Sequence, residues 1–543
     1  MLERIARTVM LVAGLSLLDA SAMAGDWLQS GYDAAHRGFN PDERALGAHN
    51  VGSMVLAVSG ATPETVSGSA VVASGISTPD GPRDFLFLTS GAGTLLAFDA
   101  GSLRLVWSRT TEGKGRLDAS PVIDPDRRFV YGSGSDGKVH KYAIVDGAES
   151  FDQGWPQLVT LKPEVEHAAS GLTIGITSQG KRYLYAVIDG YMGDGGDYQG
   201  HLTTIDLDTG EQTVFNALCS DVPVHFINGG APGINDCASR RAAIWGRPGA
   251  TFDADTGRVY VVTANGPFDA HLGGFNWGDS VLALAANGAG EGGVPLDSYT
   301  PVNFQALEDG DVDLGSGSVA LVGNVPGSSV GPLGIVVGKD VMPRLLSLDD
   351  LSGAGGPRNI GGELQILGSG FVCKCSMPQP AIWTAPDGSV WAYVIGSGLD
   401  AYQVVVDDGK PSLMQRWHTD VWAYPSFAAS PVVANGIVYL VDGRAVALDA
   451  LTGDILWQYT GAADPARRSS PIVVNGRLYV VRDHAIDAFA PETILSDGFE
   501  GDPAADAQIF SWRHPMGRLE DTAFSIELDG PRFDAKGQPV LEP

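Results

Sequence analysis

Four carboxylates, Glu308, Asp309, Asp311 and Asp313, crowd one short stretch of the chain. Carboxylates at this density take up protons or cations where they are buried, and form a solvated loop where they are not. The 4 cysteines are the other reactive groups. Cys219 and Cys237 flank a Gly/Pro/Asn-rich loop, His225 to Asp236, which a disulfide would close with its Cα atoms roughly 4.4 to 6.8 Å apart. Cys373-Lys374-Cys375 is either a tight, strained ring or a pair of thiols. Several chemistries lack the residues to run them: there is no Ser nucleophile elbow, no Walker phosphate loop, no zinc-type spacing among the 10 His, and no C-x-x-C-H for covalent haem.

The elements that would position these groups are repeated. A small-Ser-Pro-apolar-apolar motif stands at Ala119 to Ile123, Ala429 to Val433 and Ser469 to Val473. Looser copies stand at Ser67 to Val71, Ala169 to Thr173, Gly246 to Ala250, Gly315 to Val319 and Met377 to Ala381, making eight. The last repeat shows the whole unit: Pro471 to Val474, a turn at Asn475-Gly476, Leu478 to Val481, then Ala485 to Phe489. Period-2 alternation broken by Asn-Gly or Asp-Gly turns describes antiparallel hairpins. Four short strands repeated every 40 to 80 residues or so describe propeller blades. The expectation is an all-β, eight-bladed β-propeller of four-stranded antiparallel blades over 25–490, with Asp26 to Asn50 closing the ring as a strand or cap.

One blade end, Ala447-Leu448-Asp449-Ala450-Leu451-Thr452-Gly453-Asp454-Ile455-Leu456-Trp457, resembles the A-x-D-x-x-T-G-x-x-x-W docking motif of pyrroloquinoline-quinone (PQQ) repeat propellers. Degraded copies stand at Ala97 to Trp107 and Ile205 to Gly210. Physically, Asp and Thr cap the turn, Gly takes a conformation that a β-carbon forbids, and Trp wedges between blades. Catalytic members of this superfamily are quinoprotein alcohol dehydrogenases, and the resemblance implies PQQ and Ca2+ as cofactors and a small alcohol as substrate. Without a haem motif, the electrons would pass to a separate cytochrome.

The segment Val262 to Gly266, followed by Asn276 to Leu284, is similar to the family's T-G-N-G region and implies Asn265 as a metal ligand. Asn265 is equally a turn residue. Asp311 to Ser316 is similar to the W-D-x-D segment and implies Asp311 as the base, a solvated loop being the alternative. The family's glutamate ligand aligns with Gly195, which leaves Asp194 or Asp197 to supply the carboxylate. Lys339 sits where a basic residue lies near the quinone, or in a blade turn. Cys373 and Cys375 stand in for the family's adjacent cysteines, and Trp245, Trp277 or Trp383 for its stacking ring. The competing function is a non-catalytic propeller that binds a protein or glycan partner on its loops, including the insertions Leu218 to Ala243 and Pro267 to Trp277.

Arg4 and Arg7, the ten-residue apolar run Val9 to Leu18 and the triplet Ala22-Met23-Ala24 read as a cleaved signal peptide over 1–24. The run is about half the ~20 residues that a spanning helix needs. The expected location is therefore periplasmic or secreted, with no membrane insertion. A net charge of −29, from 64 acidic against 35 basic residues, excludes nucleic acid as a partner, since phosphate binding needs clustered Lys and Arg. The acidic tail, 491–543, lacks alternation and reads as poorly ordered.

Overall fold

Every small-Ser-Pro copy leads into, or lies within, the first strand of a sheet, because the Val, Ile and Ala that follow it favour a pleated, buried surface. Those first strands are Val66–Thr78, Val122–Ile123, Thr173–Ile176, Thr251–Asp253, Ala320–Gly323, Ala381–Thr384, Val432–Ala434 and Ile472–Val474. Each begins an antiparallel sheet of four strands, numbered here as blades 1 to 8. Consecutive first strands approach one another around the axis, so the chain is an eight-bladed β-propeller. This computed structural model describes residues 25–115, 117–191, 194–228, 236–368, 372–373, 377–420, 428–461, 465–466 and 469–492. The expected signal peptide and Cys375 lie outside these residues, as does the tail beyond Glu492. No helix among them is long and apolar enough to cross a membrane.

The core is a ring of wedges between neighbouring sheets. Blades 6 and 7, for example, pack Trp383, Trp391 and Tyr393 against Val433, Val438 and Leu440. The blade-end motif fits this scheme. Asp449 Oδ1 accepts the backbone N–H groups of Leu451 and Thr452, both at 2.9 Å, and so caps the turn. Gly453, at φ 78°, lets the Trp417 ring of the preceding blade approach; a β-carbon there would sit 2.8 Å from that ring. Trp107 and Trp457 each donate Nε1–H to a carbonyl of the next blade, Ile144 O at 2.9 Å and Met54 O at 2.8 Å. The motif serines stitch the inner ring, Ser120 Oγ accepting from Ser69 N, Ser69 Oγ from Ser470 N, and Ser430 Oγ from Gln379 N.

The N-terminal segment divides the closing role between two pieces. Met54–Ala61 completes blade 8 by pairing with Ala485–Pro491, which closes the ring of blades within one sheet. Residues 25–50 instead form a strap across the axis. It bonds the inner strands of seven blades: at Val72, Ile123, Ile174, Phe252, Ile382, Val433 and Val473. Toward blade 5 its Ala35 packs against the hydrophobic cluster that includes Val319 and Leu321. His36, fully buried in the strap, meets Ser30 O, Thr173 Oγ1 and Ala250 O. Burial, only partly offset by these bonds, lowers its pKa, so the imidazole is held neutral.

Candidate active site

Blades 4 and 5 bring the chemistry together. Asn265 follows the strand Arg258–Val262, and the loop turns at Gly266, where a β-carbon would strike Ala242 N at 2.6 Å. The acidic run is not one loop. Glu308 and Asp309 lie in the helix Phe304–Gly310, and Asp311 ends it in the left-handed region at φ 53°, a C-cap conformation that Asp tolerates better than most residues. That turn separates the two later carboxylates: the Asp311 side chain is 56% exposed and that of Asp313 only 10%.

Asp313 is the hub. Its Oδ1 accepts Asn265 N–H at 2.9 Å, and its Oδ2 lies 2.5 Å from Lys339 Nζ. The Lys339 side chain, 9% exposed, also reaches Asp311 Oδ1 at 3.0 Å and sits 5.3 Å above the Trp245 ring centre. The backbone of Lys339 donates to Asp313 O and accepts from Cys373 N at 2.7 Å. Asn265 Nδ2 donates to Leu307 O at 3.0 Å and to Asp279 Oδ2 at 3.3 Å, while Asp279 Oδ1 accepts Leu314 N–H at 3.0 Å. Asn265 Oδ1 is buried and accepts no hydrogen bond.

Electrostatics follow from this crowding. Burial, then the negative charge of Asp313, raises the pKa of Asp279 well above the usual carboxylate range. Burial also raises Asp313, with Lys339 pulling the other way. Burial opposes the charge of Lys339, but the two carboxylates outweigh it and hold the ammonium above the ordinary lysine value.

The residues singled out from sequence divide three ways. Asn265, Asp311, Lys339, Trp245 and Cys373 converge on the cluster. Cys373 is fully buried and disulfide-bonded; its proposed companion Cys375 falls outside the described residues. Among the described residues, Asp194 reaches the cluster through Tyr198, whose hydroxyl donates to Asp194 Oδ1 at 2.6 Å and whose ring packs with Ala243, Ala264 and Trp245. Asp197 turns elsewhere, its Oδ1 accepting from Gln199 Nε2 at 3.0 Å and its carbonyl from Lys162 Nζ. Trp277 points its ring into the core between blades 3 and 4, with Nε1 on Ser220 Oγ at 2.9 Å, and Trp383 lies in the wedge between blades 6 and 7. The Cys219–Cys237 disulfide forms with Cα atoms 5.8 Å apart.

Two groups escaped the sequence reading. Asp279 looks like a blade turn in Gly278-Asp279, and only its burial against Asp313 distinguishes it. Asp313 was overshadowed by its neighbour Asp311; the D-x-D spacing is a signal for both.

The cluster gathers several oxygen-bearing side chains in one place. It offers the unpartnered Asn265 Oδ1 and the oxygens of Asp279 and Asp313. Among the described residues no group of three or more His, Cys, Asp and Glu could hold a metal. A hard cation takes six to eight oxygens, more than these three residues alone would supply.

A model of the family described as outer membrane protein assembly factor BamB matches residues 52–221 and 386–493, just over half of the chain. No curated protein matches it. Among solved structures the chain is similar to the quinohemoprotein alcohol dehydrogenase ADHIIG of Pseudomonas putida HK5, at 13% identity and a TM-score of 0.59 over 94% of this chain and 84% of that one. It is also similar to the quinohemoprotein alcohol dehydrogenase of Comamonas testosteroni, at 16% identity and a TM-score of 0.58 over 94% and 83%. A europium-containing methanol dehydrogenase gives 15% and 0.56 over 86% and 98%. At these identities the likeness is one of fold.

Proposed function

We propose, on the premise that the chain belongs to the family of PQQ-like repeats whose model is described as outer membrane protein assembly factor BamB, that it is an exported quinone-dependent dehydrogenase of alcohols. The observation that carries this reading is the unpartnered, buried Asn265 Oδ1 in one cluster with Asp313, Lys339 and Trp245. Asn265 and Asp279 would share a divalent cation such as Ca2+ with PQQ, and Trp245 would carry the ring once Lys339 moves off its face. The bound quinone would supply the hydride acceptor. Asp313 Oδ2 takes the hydroxyl proton of the alcohol, its burial keeping it more basic than a surface carboxylate. Lys339 steadies the charge of Asp313 and releases it as the proton arrives. This assigns the base to Asp313 rather than Asp311, which is turned toward solvent.

The test is reconstitution of the purified protein with PQQ and Ca2+, read as bound quinone absorbance and as dye reduction by alcohols. Asp313→Asn should lower turnover by about 10² or more, and Asp311→Asn should leave most of it. The reverse order would overturn the assignment. The exported protein should begin at Gly25, which N-terminal sequencing of periplasmic material checks.

One observation favours a second reading. Lys339 already bridges Asp311 and Asp313 within the chain, so both carboxylates have an internal partner, which suits a propeller that binds a protein or glycan on its loops. Failure to bind PQQ with Ca2+ selects this reading.

A further inference from the structure

A cleft of about 520 Å3 opens beside the Asn265 cluster, and its walls differ sharply in chemistry. Its floor includes Gly266, which follows Asn265, and Glu308, which follows the Leu307 carbonyl that holds the Asn265 side chain. One wall is aromatic: Phe268 and Phe304 meet edge to face with ring centres 4.9 Å apart. The other carries Arg240 and Arg241, just past Cys237, whose disulfide to Cys219 ties this insertion to the end of blade 3. Arg241 is engaged in an ion pair with Glu308. Arg240 is exposed in the cleft and has no ionic partner among the described residues.

A guanidinium without an ionic partner, lining one cleft with two phenyl rings, is a specific combination in a chain of net charge −29. Elsewhere the protein's field repels anions; here one cation offers the planar fork that a carboxylate matches. Phe268 and Phe304, packed with His271, give the cleft an aromatic surface of the kind that aromatic ligands prefer. We infer that this cleft recognises an aromatic carboxylate, the acid group on Arg240 and the ring against Phe268 and Phe304. In the dehydrogenase reading, on which only this last step rests, the ligand is an aryl alcohol bearing a carboxylate, with its hydroxyl on the Asn265 side.

The test is calorimetric titration of the full chain with 4-(hydroxymethyl)benzoate, benzoate and benzyl alcohol. Both carboxylates should bind about tenfold more tightly than benzyl alcohol, a charge-assisted pair being worth that much when partly exposed. Arg240→Gln should erase the difference, Arg240→Lys should restore part of it, and Phe304→Ala should weaken both carboxylates; unchanged melting temperatures verify folding. Equal binding of benzyl alcohol and the carboxylates, or indifference to Arg240→Gln, overturns the inference. Turnover is read separately with PQQ and Ca2+. If 4-(hydroxymethyl)benzoate binds through Arg240 and is not oxidised, the recognition site stands and the dehydrogenase reading falls.

Discussion

Replacing Trp457 by Ala tests how the ring of blades is held shut. The indole is 8% exposed, lies edge-on to Phe489 with ring centres 5.4 Å apart, and donates Nε1–H to Met54 O in the strand that closes blade 8. A buried indole covers roughly 150–250 Å2 of surface, worth about 4–6 kcal/mol at 25 cal/mol per Å2. Collapse of the site recovers part of this, and loss of the hydrogen bond removes about 1 kcal/mol more. The expected cost is about 3–5 kcal/mol, in line with other large-to-small core changes. Unfolding entropy near 2.1 cal/mol/K per residue makes the whole ring lose roughly 1 kcal/mol per kelvin, so the melting temperature should fall by about 3–5 °C. Calorimetry and far-UV dichroism in denaturant measure both, with Leu451→Ala, on an exposed part of the same turn, expected to shift by less than about 0.5 kcal/mol. A Trp457→Ala protein within about 1 kcal/mol of wild type would refute the wedge.

Ca2+ with PQQ should raise the melting temperature far more than Ca2+ alone, by about 2.7 kcal/mol of stability at a hundredfold excess over Kd; Asn265→Ala should abolish the increment, and an increment retained there removes Asn265 Oδ1 from the site. For pH, the pKa of Asp279 is raised by burial and then by Asp313, so its contribution is present below the ordinary aspartate value of about 4 and lost as pH rises through the folded value. Asp279→Asn should flatten the loss of stability seen in denaturant titrations above about pH 4; an unchanged slope disproves the raised pKa of Asp279. Replacing Cys219 and Cys237 together by Ser should cost about 3 kcal/mol, for a bridge spanning 18 residues of sequence, and mass spectrometry of exported protein should find both sulfurs oxidised.

Much of the architecture was legible in the linear order of residues because its cause is local. Eight small-Ser-Pro copies, each followed by β-branched residues, dictate inner strands wherever they occur, and Asn475-Gly476 turns a hairpin in any context that supplies two strands. The Asp449 to Trp457 motif likewise carries its own turn cap, left-handed glycine and docking indole. The D-x-D segment and the Asn-Gly pair, 46 residues apart, fold into one cluster.

Tertiary structure decided the rest, because it depended on direction and burial. One backbone angle, φ 53° at Asp311 behind a seven-residue helix, turns Asp311 to solvent and Asp313 inward, and no alternation rule reveals that reversal. Trp245 and Trp277 look interchangeable as indoles in sequence, yet one lies under Lys339 and the other is sealed in a wedge between blades. Asp279 acquires its raised pKa only when folding sets it beside Asp313 away from water, and residues 25–50 become a strap only once seven inner strands offer their backbone groups. Local chemistry sets which elements form; where each charged side chain ends depends on contacts tens to hundreds of residues away, which the linear order does not encode in any one place.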